Sequence, residues 1–170
     1  MYGDYNRVLF LTPALTTPDK LVGAAPWEFN REQLLSRNFL PIHTWLFARE
    51  CIDRVGAIDE NIDRLEDYDF LLKMSANYPF HHLRKVTCEY RYYLHSPNSI
   101  YTDVQKALDA LQQIYNRHPT TDAQAIYDRA ITLRATENQI DRIEKIKSSI
   151  GNGISEQEAQ RQIMQLVIGL

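Results

Sequence analysis

The chain has 170 residues, of which 44% are hydrophobic and 24% charged, a composition typical of one globular domain rather than of a disordered segment. The formal net charge of -3 is spread over the chain, and no part has the basic excess that binding to a nucleic-acid backbone requires. No apolar run reaches the roughly 18 residues of a membrane-spanning helix, and the start lacks a signal-peptide pattern. The sequence therefore predicts a protein of the cytoplasm or of the cytoplasmic face of a membrane, without a transmembrane segment or a nucleic-acid partner.

Cysteine and glycine usage excludes several kinds of site. Cys51 and Cys88 are the only cysteines, which is too few for a disulfide framework, and no C-x-x-C pair indicates zinc. The chain has six glycines and contains neither G-x-G-x-x-G nor a P-loop. If the chain binds a nucleotide, a glycine-rich loop within it does not hold the phosphates.

A change in composition near Thr102 divides the chain into two parts. Most tyrosines and both tryptophans come before it, whereas Gln, Ala and charged residues at helical spacing follow it. In the first part, β-branched and aromatic runs indicate strands, and Gly and Pro indicate loops and helix ends. The predicted elements are a strand within 7 to 15, a loop over 21 to 29, a short helix over 31 to 37, a buried strand or strand pair over 39 to 48, a helical turn over 49 to 58 that Gly56 ends, a helix over 66 to 78 that Pro79 ends, and a strand over 81 to 95.

The second part is predicted to form three amphipathic helices. The first has apolar residues at steps of three and four, namely Val104, Ala107, Leu108, Leu111 and Tyr115. The second runs from about Asp122 to Ile150, and we expect one apolar stripe of Ile126, Ala130, Leu133, Ile140, Ile143 and Ile150. Ser155 and Glu158 form an S-x-x-E capping box before the last helix. We expect these helices to pack on the first part or on an adjoining domain.

Residues 58 to 70 form the most informative segment because they concentrate acidic side chains. Asp59, Glu60, Asp63, Glu66, Asp67 and Asp69 are accompanied by a single Arg64. A calcium loop is excluded, because Arg64 stands where that loop needs glycine and Phe70 where it needs the bidentate Glu. Capping of the helix amino terminus explains some of these acids.

The order of motifs from residue 38 to 99 resembles the acceptor-side half of family 2 glycosyltransferases of GT-A fold. The matching segments are LFARE at 46 to 50, VGAIDE at 55 to 60, LEDYDFLLKM at 65 to 74 and YRYYLHSPNS at 90 to 99. The opening YGDYNR is similar to the strand that follows the donor-binding half in that family. The resemblance implies an α+β chain: a partial GT-A mixed-sheet domain over 1 to 102, followed by a three-helix extension over 103 to 170.

The resemblance implies inverting transfer of a sugar from a nucleotide-diphosphate sugar to a glycan or other hydroxyl acceptor, assisted by Mn²⁺ or Mg²⁺. Asp67 falls on the position of the family's general base, and an ionised carboxylate suits that role. We expect the helix start to help keep it ionised, with Glu66 and Asp69 orienting it or the acceptor. Plain helix capping is the alternative for Asp67. Residues 67 to 69 are formally D-x-D, but they open a helix, whereas the family's metal motif follows a strand.

Further side chains are expected around this base. His43 and Trp45 could line an acceptor pocket, with core packing as the alternative for Trp45, and Lys73 stands where the family often has Arg. His95 could be a metal ligand or a strand-end surface histidine. Ser96 and Ser99 accompany it near the expected diphosphate.

The amino-terminal half that binds the nucleotide in this family, with its D-x-D motif, has no counterpart in the sequence. We therefore expect the isolated chain to be an inactive or weakly active part of a transferase that needs the missing half or an adjoining domain. The alternative is a non-catalytic interaction module that docks on a partner chain through the half-domain and the helices.

Overall fold

A computed structural model of the chain describes residues 1 to 10, 20 to 24, 28 to 93 and 103 to 168, and these residues form a mixed α and β structure. The elements in chain order are β1 (Tyr2–Phe10), β2 (Lys20–Ala24), α1 (Arg31–Leu34), a 3-10 turn (Ile42–Thr44), α2 (Glu50–Val55), α3 (Glu66–Asn77), β3 (His82–Tyr93), α4 (Val104–Arg117), α5 (Ala123–Ser148) and α6 (Glu156–Ile168). The α+β prediction is confirmed at this coarse level.

The three described strands form one sheet in the order β2-β1-β3. Strand β1 pairs antiparallel with β2 and parallel with β3, so it lies in the centre. Near its start β1 approaches β3 so closely that a Cβ on Gly3 would lie 2.5 Å from the Thr87 side chain. A larger residue at this crossing, where the β1–β3 register shifts, would force the Thr87 side chain to move.

Several predicted elements are confirmed, and two strand boundaries are corrected. The short helix at 31, the turn that Gly56 ends with φ of 82°, the helix before Pro79 and the strand after it are all present. Strand β1 begins at Tyr2, earlier than predicted. The loop predicted over 21 to 29 is wrong for its first residues, because Lys20–Ala24 pairs with β1 through backbone hydrogen bonds that Gly23 does not prevent.

The strand predicted over 39 to 48 is wrong. Pro41 has no N–H to give to a sheet, and its carbonyl accepts both the backbone N–H and the hydroxyl of Thr44 at 2.9 and 2.7 Å. The indole N–H of Trp45 donates to the Leu40 carbonyl at 3.0 Å. These local bonds fold the segment into a 3-10 turn, after which Trp45 forms an isolated bridge with Tyr2 of the sheet.

Helix α3 lies at the centre of the main core. Tyr68, Leu71, Leu72 and Ser75 are all buried, as their helical spacing predicts. The main cluster contains residues of α1, of the loop after α1 and of α3. They pack with side chains of α4 and the start of α5, including Ile114, Tyr115 and Ala125. The predicted packing of the helices on the first part is thus confirmed for α4, while the boundary near Thr102 stays a prediction.

The single apolar stripe predicted along the second long helix is wrong. Ile143 is buried, but Ile126 is 51% exposed and Ile150 is 41% exposed, and Ala130 also faces solvent. Seven-residue steps drift around a helix of 3.6 residues per turn, so the two ends of the stripe face different sides.

The far half of α5 forms a smaller cluster with α6. Buried Val104, Ile143 and Ile163 meet there, and Gly151 ends the turn between the helices with φ of 82°. Ser155 Oγ accepts the Glu158 N–H at 3.2 Å, which confirms the capping side of the predicted box. Within the described ranges, no helix is long and apolar enough to cross a membrane.

Candidate functional site

The amino terminus of α3 opens onto a broad cleft. Leu65, the residue before the helix, has a left-handed backbone with φ of 59°, and its carbonyl accepts the N–H groups of Tyr68 and Asp69. A branched residue in this conformation is strained by about 1 kcal/mol or more. This sharp entry places Glu66 and Asp67 on the cleft wall, while Tyr68 enters the core.

The cleft has a volume of about 1120 Å³ and is lined by segments from both parts of the chain. Strands β1 and β3, the 3-10 turn, the start of α3 and one side of α4 and α5 each contribute. The side chains important below are Tyr5, Asn38, His43, Glu66, Asp67, Tyr90 and Lys106. Asp67, Glu66 and His43, three of the residues singled out from the sequence, are thus brought together.

The Asp67 carboxyl is held by Asn38. The Asn38 side-chain oxygen accepts the Leu40 N–H at 3.1 Å, so its amide nitrogen is the group that donates to Asp67. Sequence reasoning missed Asn38, because nothing in the local pattern distinguishes it from a loop residue. The Asn38 side chain thus lowers the pKa of the candidate base.

The pKa of Asp67 is raised above its usual range, first by burial and then by the neighbouring charge of Glu66. The N–H of Tyr68, the backbone N–H of Asp67 itself and the Asn38 side chain oppose this rise without cancelling it. The backbone N–H groups of the helix start thus favour the ionised form of Asp67, as expected, but loss of water around the carboxylate has the larger effect on its pKa. A raised pKa makes the carboxylate a stronger base.

Three rings form one wall of the cleft. The ring centroids of Tyr5 and Tyr90 are 6.2 Å apart, and His43 lies 5.1 Å from Tyr90 and 6.2 Å from Tyr5. Burial lowers the pKa of His43, so its imidazole is neutral at physiological pH. The sequence predicted His43 but missed both tyrosines, whose only signal was their place on two strands. The wall offers flat apolar surface beside the acidic groups.

Trp45 lies in a different pocket. This second pocket has a volume of about 540 Å³ and is lined mainly by apolar groups, among them Phe47, Leu71, Met74 and Phe80. His43 and Trp45 were expected in one acceptor pocket, and the 3-10 turn separates them instead. The hydrogen bond of Trp45 to Leu40 and its packing against the main core favour a structural role.

Asp69 and Lys73 lie outside the cleft. The Asp69 side chain is fully buried, with one oxygen 2.6 Å from Lys73 Nζ and the other 2.8 Å from His118 Nε2. The Asp69 carboxylate therefore joins α3 to the end of α4 and is inaccessible to an acceptor. These contacts favour a structural role for both residues.

Basic side chains of α4 form ion pairs with two of the remaining acidic residues. Asp59 lies 2.6 Å from Arg117, and Asp63 lies 2.6 Å from Lys106. The Asn61 N–H, Arg117 and the Asn61 side chain lower the pKa of Asp59 to about 2. The partners are some 40 to 60 residues away in sequence, which explains why helix capping alone did not account for the acids.

The expected metal ligand and its neighbouring serines were placed near the end of the last strand of the first part. Among the described residues, no group of three or more His, Cys, Asp or Glu side chains is arranged to hold a metal ion. His95, Ser96 and Ser99 fall outside the described residues.

Comparisons with known proteins do not assign the chain to a family. No family model matches it, and no curated protein or solved structure matches it significantly.

Proposed function

We propose that this chain carries the acceptor side of an inverting, family 2-like glycosyltransferase, with Asp67 as the general base. The observation that carries the proposal is the half-buried Asp67 carboxyl, with a raised pKa, on the wall of a large cleft. The four ordered motifs between residues 46 and 99 support the choice of family. In this proposal residues 1 to 102 are the partial GT-A domain, and residues 103 to 170 are its helical extension.

The reaction would follow from the position of the carboxylate. An acceptor hydroxyl attacks the anomeric carbon, the bond to the nucleotide diphosphate breaks, and the hydroxyl proton passes to Asp67. The Glu66 charge contributes by raising the pKa of that base. General-base catalysis of this kind contributes typically 10²- to 10⁴-fold to the rate.

The acceptor would be bound by the aromatic wall. Sugar rings have apolar faces that pack on aromatic rings, and His43, Tyr5 and Tyr90 offer such a surface on the same cleft as Asp67. The broad opening of the cleft suits a glycan better than a small alcohol. Trp45, Asp69 and Lys73 are left with supporting roles in this scheme.

The donor side of the proposal rests on the resemblance alone. The donor would be a nucleotide-diphosphate sugar, with Ser96, Ser99 and the metal ligand His95 near its diphosphate. Bound Mn²⁺ or Mg²⁺ would neutralise charge on the leaving group. The reaction would take place in the cytoplasm or at the cytoplasmic face of a membrane.

Titration calorimetry with UDP, GDP and dTDP, each with Mn²⁺, tests the proposal first, followed by transfer from the matching sugar nucleotide. Because the half that holds the nucleotide in this family has no counterpart in the sequence, we expect at most weak binding of one nucleotide, which Asp67→Asn should leave unchanged. Because the amide cannot accept the proton, transfer should fall by about 100-fold or more.

Glu60→Gln is the matched control, since Glu60 is an exposed acid of the same segment that does not line the cleft. It should retain full transfer. Equal transfer by the Asp67→Asn variant and the unmodified chain would refute the assignment of the base.

The second candidate is a non-catalytic module that docks on a partner chain. Exposed apolar side chains beside the second pocket favour it, with Leu46 67% and Phe47 38% exposed. Failure of all three nucleotides to bind would mean that the chain is either an acceptor-side part whose donor site lies elsewhere or this interaction module, and the assignment of Asp67 would then have to be tested together with the missing half.

A further inference from the structure

The inner face of α5 changes from apolar to polar and back along the helix. Ala125 is buried in the main cluster, and Ile143 is buried in the second cluster. Between them, Thr132, Thr136 and Gln139 are only half-buried and line the broad cleft. With about 3.6 residues per turn, all five side chains lie within about 40° of one line along the helix. We call Thr132, Thr136 and Gln139 the polar row of α5.

Packing does not explain why these three positions are polar. Threonine is a poorer helix former than alanine or leucine, and the same face is apolar at Ala125 and at Ile143. Arg129 also lies on this face, but it is buried and donates to three backbone carbonyls, so it belongs to the main core. The polar row therefore coincides with the stretch of the inner face that is open to the cleft.

The hydrogen bonds of the polar row determine what it can bind. The hydroxyls of Thr132 and Thr136 donate to the carbonyls four residues earlier at 2.8 and 2.9 Å, and Gln139 Nε2 donates to the Leu166 carbonyl at 3.2 Å. The hydroxyl oxygens and the amide oxygen of Gln139 can still accept. Because the row has no charge and offers mainly acceptors, it fits a neutral ligand rich in hydroxyl groups. A phosphate, whose oxygens accept hydrogen bonds, fits it poorly.

The polar row begins beside the segment that contacts Asp67. The Tyr115 hydroxyl donates to the Ser36 carbonyl at 2.6 Å, and the Thr132 side chain hydrogen-bonds the same hydroxyl. Two residues after Ser36, the Asn38 side chain hydrogen-bonds Asp67. A ligand that reaches Asp67 can therefore continue along the cleft to the polar row.

We propose that the polar row of α5 binds a second sugar unit of the acceptor, so that the substrate is an oligosaccharide and not a single sugar. This inference rests on the proposed function, in which the aromatic wall binds the sugar whose hydroxyl gives its proton to Asp67. The cleft volume of about 1120 Å³ exceeds the roughly 300 to 1,000 Å³ of sites for drug-sized ligands, so one sugar ring would occupy only part of it. The hydroxyls of a second ring would donate to the oxygens of the row.

NMR titration of the isotope-labelled chain tests this proposal. The probes are glucose, N-acetylglucosamine and their β-1,4-linked oligomers of two to four units. Amides near Tyr5 and Tyr90 should shift with every sugar, whereas amides of residues 132 to 139 should shift only with the oligomers. We expect the dissociation constant to fall by about tenfold from one unit to two or three, since a few net hydrogen bonds contribute this much. Asp67→Asn should leave this binding unchanged.

Thr136→Val and Gln139→Leu each remove one acceptor of the polar row. Valine keeps the shape of threonine and leaves the contact between Gln139 and Leu166 intact, so this variant should fold with an unchanged circular dichroism spectrum. Each substitution should reduce the gain in affinity with length to about threefold or less. Binding of the single sugars should not change. Asn138→Leu, on an exposed position of the same helix outside the cleft, is the matched control and should keep the full gain.

Two results would overturn this inference and leave the assignment of Asp67 standing. One is an equal gain with length in the unmodified chain and in both variants, and the other is oligomers that bind no better than single sugars. Failure of every sugar to bind would overturn it as well. The transfer assay with Asp67→Asn would then decide on the proposed function separately.

Discussion

The two apolar clusters of this chain differ in how many segments they join. Among the described residues, the main cluster combines 14 buried residues from β1, α1, α3, α4, the start of α5 and loops between them, while the second has three on α4, α5 and α6. Opening free energies within one chain follow such differences in burial. We therefore expect α6 and the far half of α5 to open locally, whereas the cleft wall opens only with global unfolding.

A matched pair of isoleucine substitutions, one in each cluster, has the largest expected effect and tests this comparison most directly. Ile114 of the main cluster is 0% exposed and Ile143 of the second is 3% exposed, and each lies on a long helix. Ile114→Ala should lower the free energy of unfolding by about 4 kcal/mol and Ile143→Ala by about 2 kcal/mol, because the smaller cluster can collapse around the lost volume. Urea denaturation measures both.

Hydrogen exchange separates the two substitutions further. Ile143→Ala should speed exchange in α6 and leave the amides of α3 unchanged. Equal losses of stability with uniform changes in exchange would show that the two clusters unfold as one unit.

Arg129→Met tests whether polar contacts strengthen the main cluster as its packing does. Methionine keeps much of the apolar stem but leaves the carbonyls of Leu35, Tyr115 and His118 without their donor. The free energy of unfolding should fall by about 2 kcal/mol in thermal or urea denaturation. Arg142→Met, on an exposed position of the same helix, is the control and should change stability little.

The smallest expected effect is on the loss of stability at low pH. It can be compared between the two regions through one carboxylate in each. The pKa of Asp59 is lowered to about 2, first by the Asn61 N–H and then by Arg117 of α4. The pKa of Glu158 is lowered to about 2 by Arg161 and then Gln162 of its own helix. A carboxyl with a lowered folded-state pKa stabilises the folded chain above its unfolded pKa, and this contribution is lost as the pH falls toward 2.

We expect Asp59→Asn to reduce the difference in urea midpoint between neutral and acidic solution, because its ion pair joins two segments of the main region. Glu158→Gln should change acid-induced exchange in α6 with little effect on the global midpoint. A larger global effect from Glu158→Gln would contradict the division into two regions.

Local patterns in the sequence were sufficient to predict α2, α3, α4 and β3. Tyr68 and Leu71 lie where helical spacing puts them, because one face of α3 is buried and Pro79 ends it. The apolar run from 39 to 48 led to a wrong strand prediction. Thr44 donates hydrogen bonds to the Pro41 carbonyl, and this local turn keeps the segment out of the sheet. The stripe on α5 misled because burial there follows contacts with α4 and α6, which its own sequence does not encode.

The candidate site could be predicted only in part. Asp67, Glu66 and His43 carry recognisable residue types at recognisable positions, and they do share a cleft. The aromatic pair of Tyr5 and Tyr90 depends on strand pairing between distant segments, and Asn38 lies in a loop after α1. The burial of Asp69 likewise depends on His118, which is 49 residues further along the chain.

Arg129 has a consequence for how the chain folds during synthesis. Its guanidinium donates to the Leu35 carbonyl across 94 residues and to the Tyr115 and His118 carbonyls across 14 and 11 residues. A nascent chain that ends near Thr102 lacks both this donor and the aromatic ring it lies over. The first part of the chain therefore cannot complete its core on the ribosome until the start of α5 has left the exit tunnel.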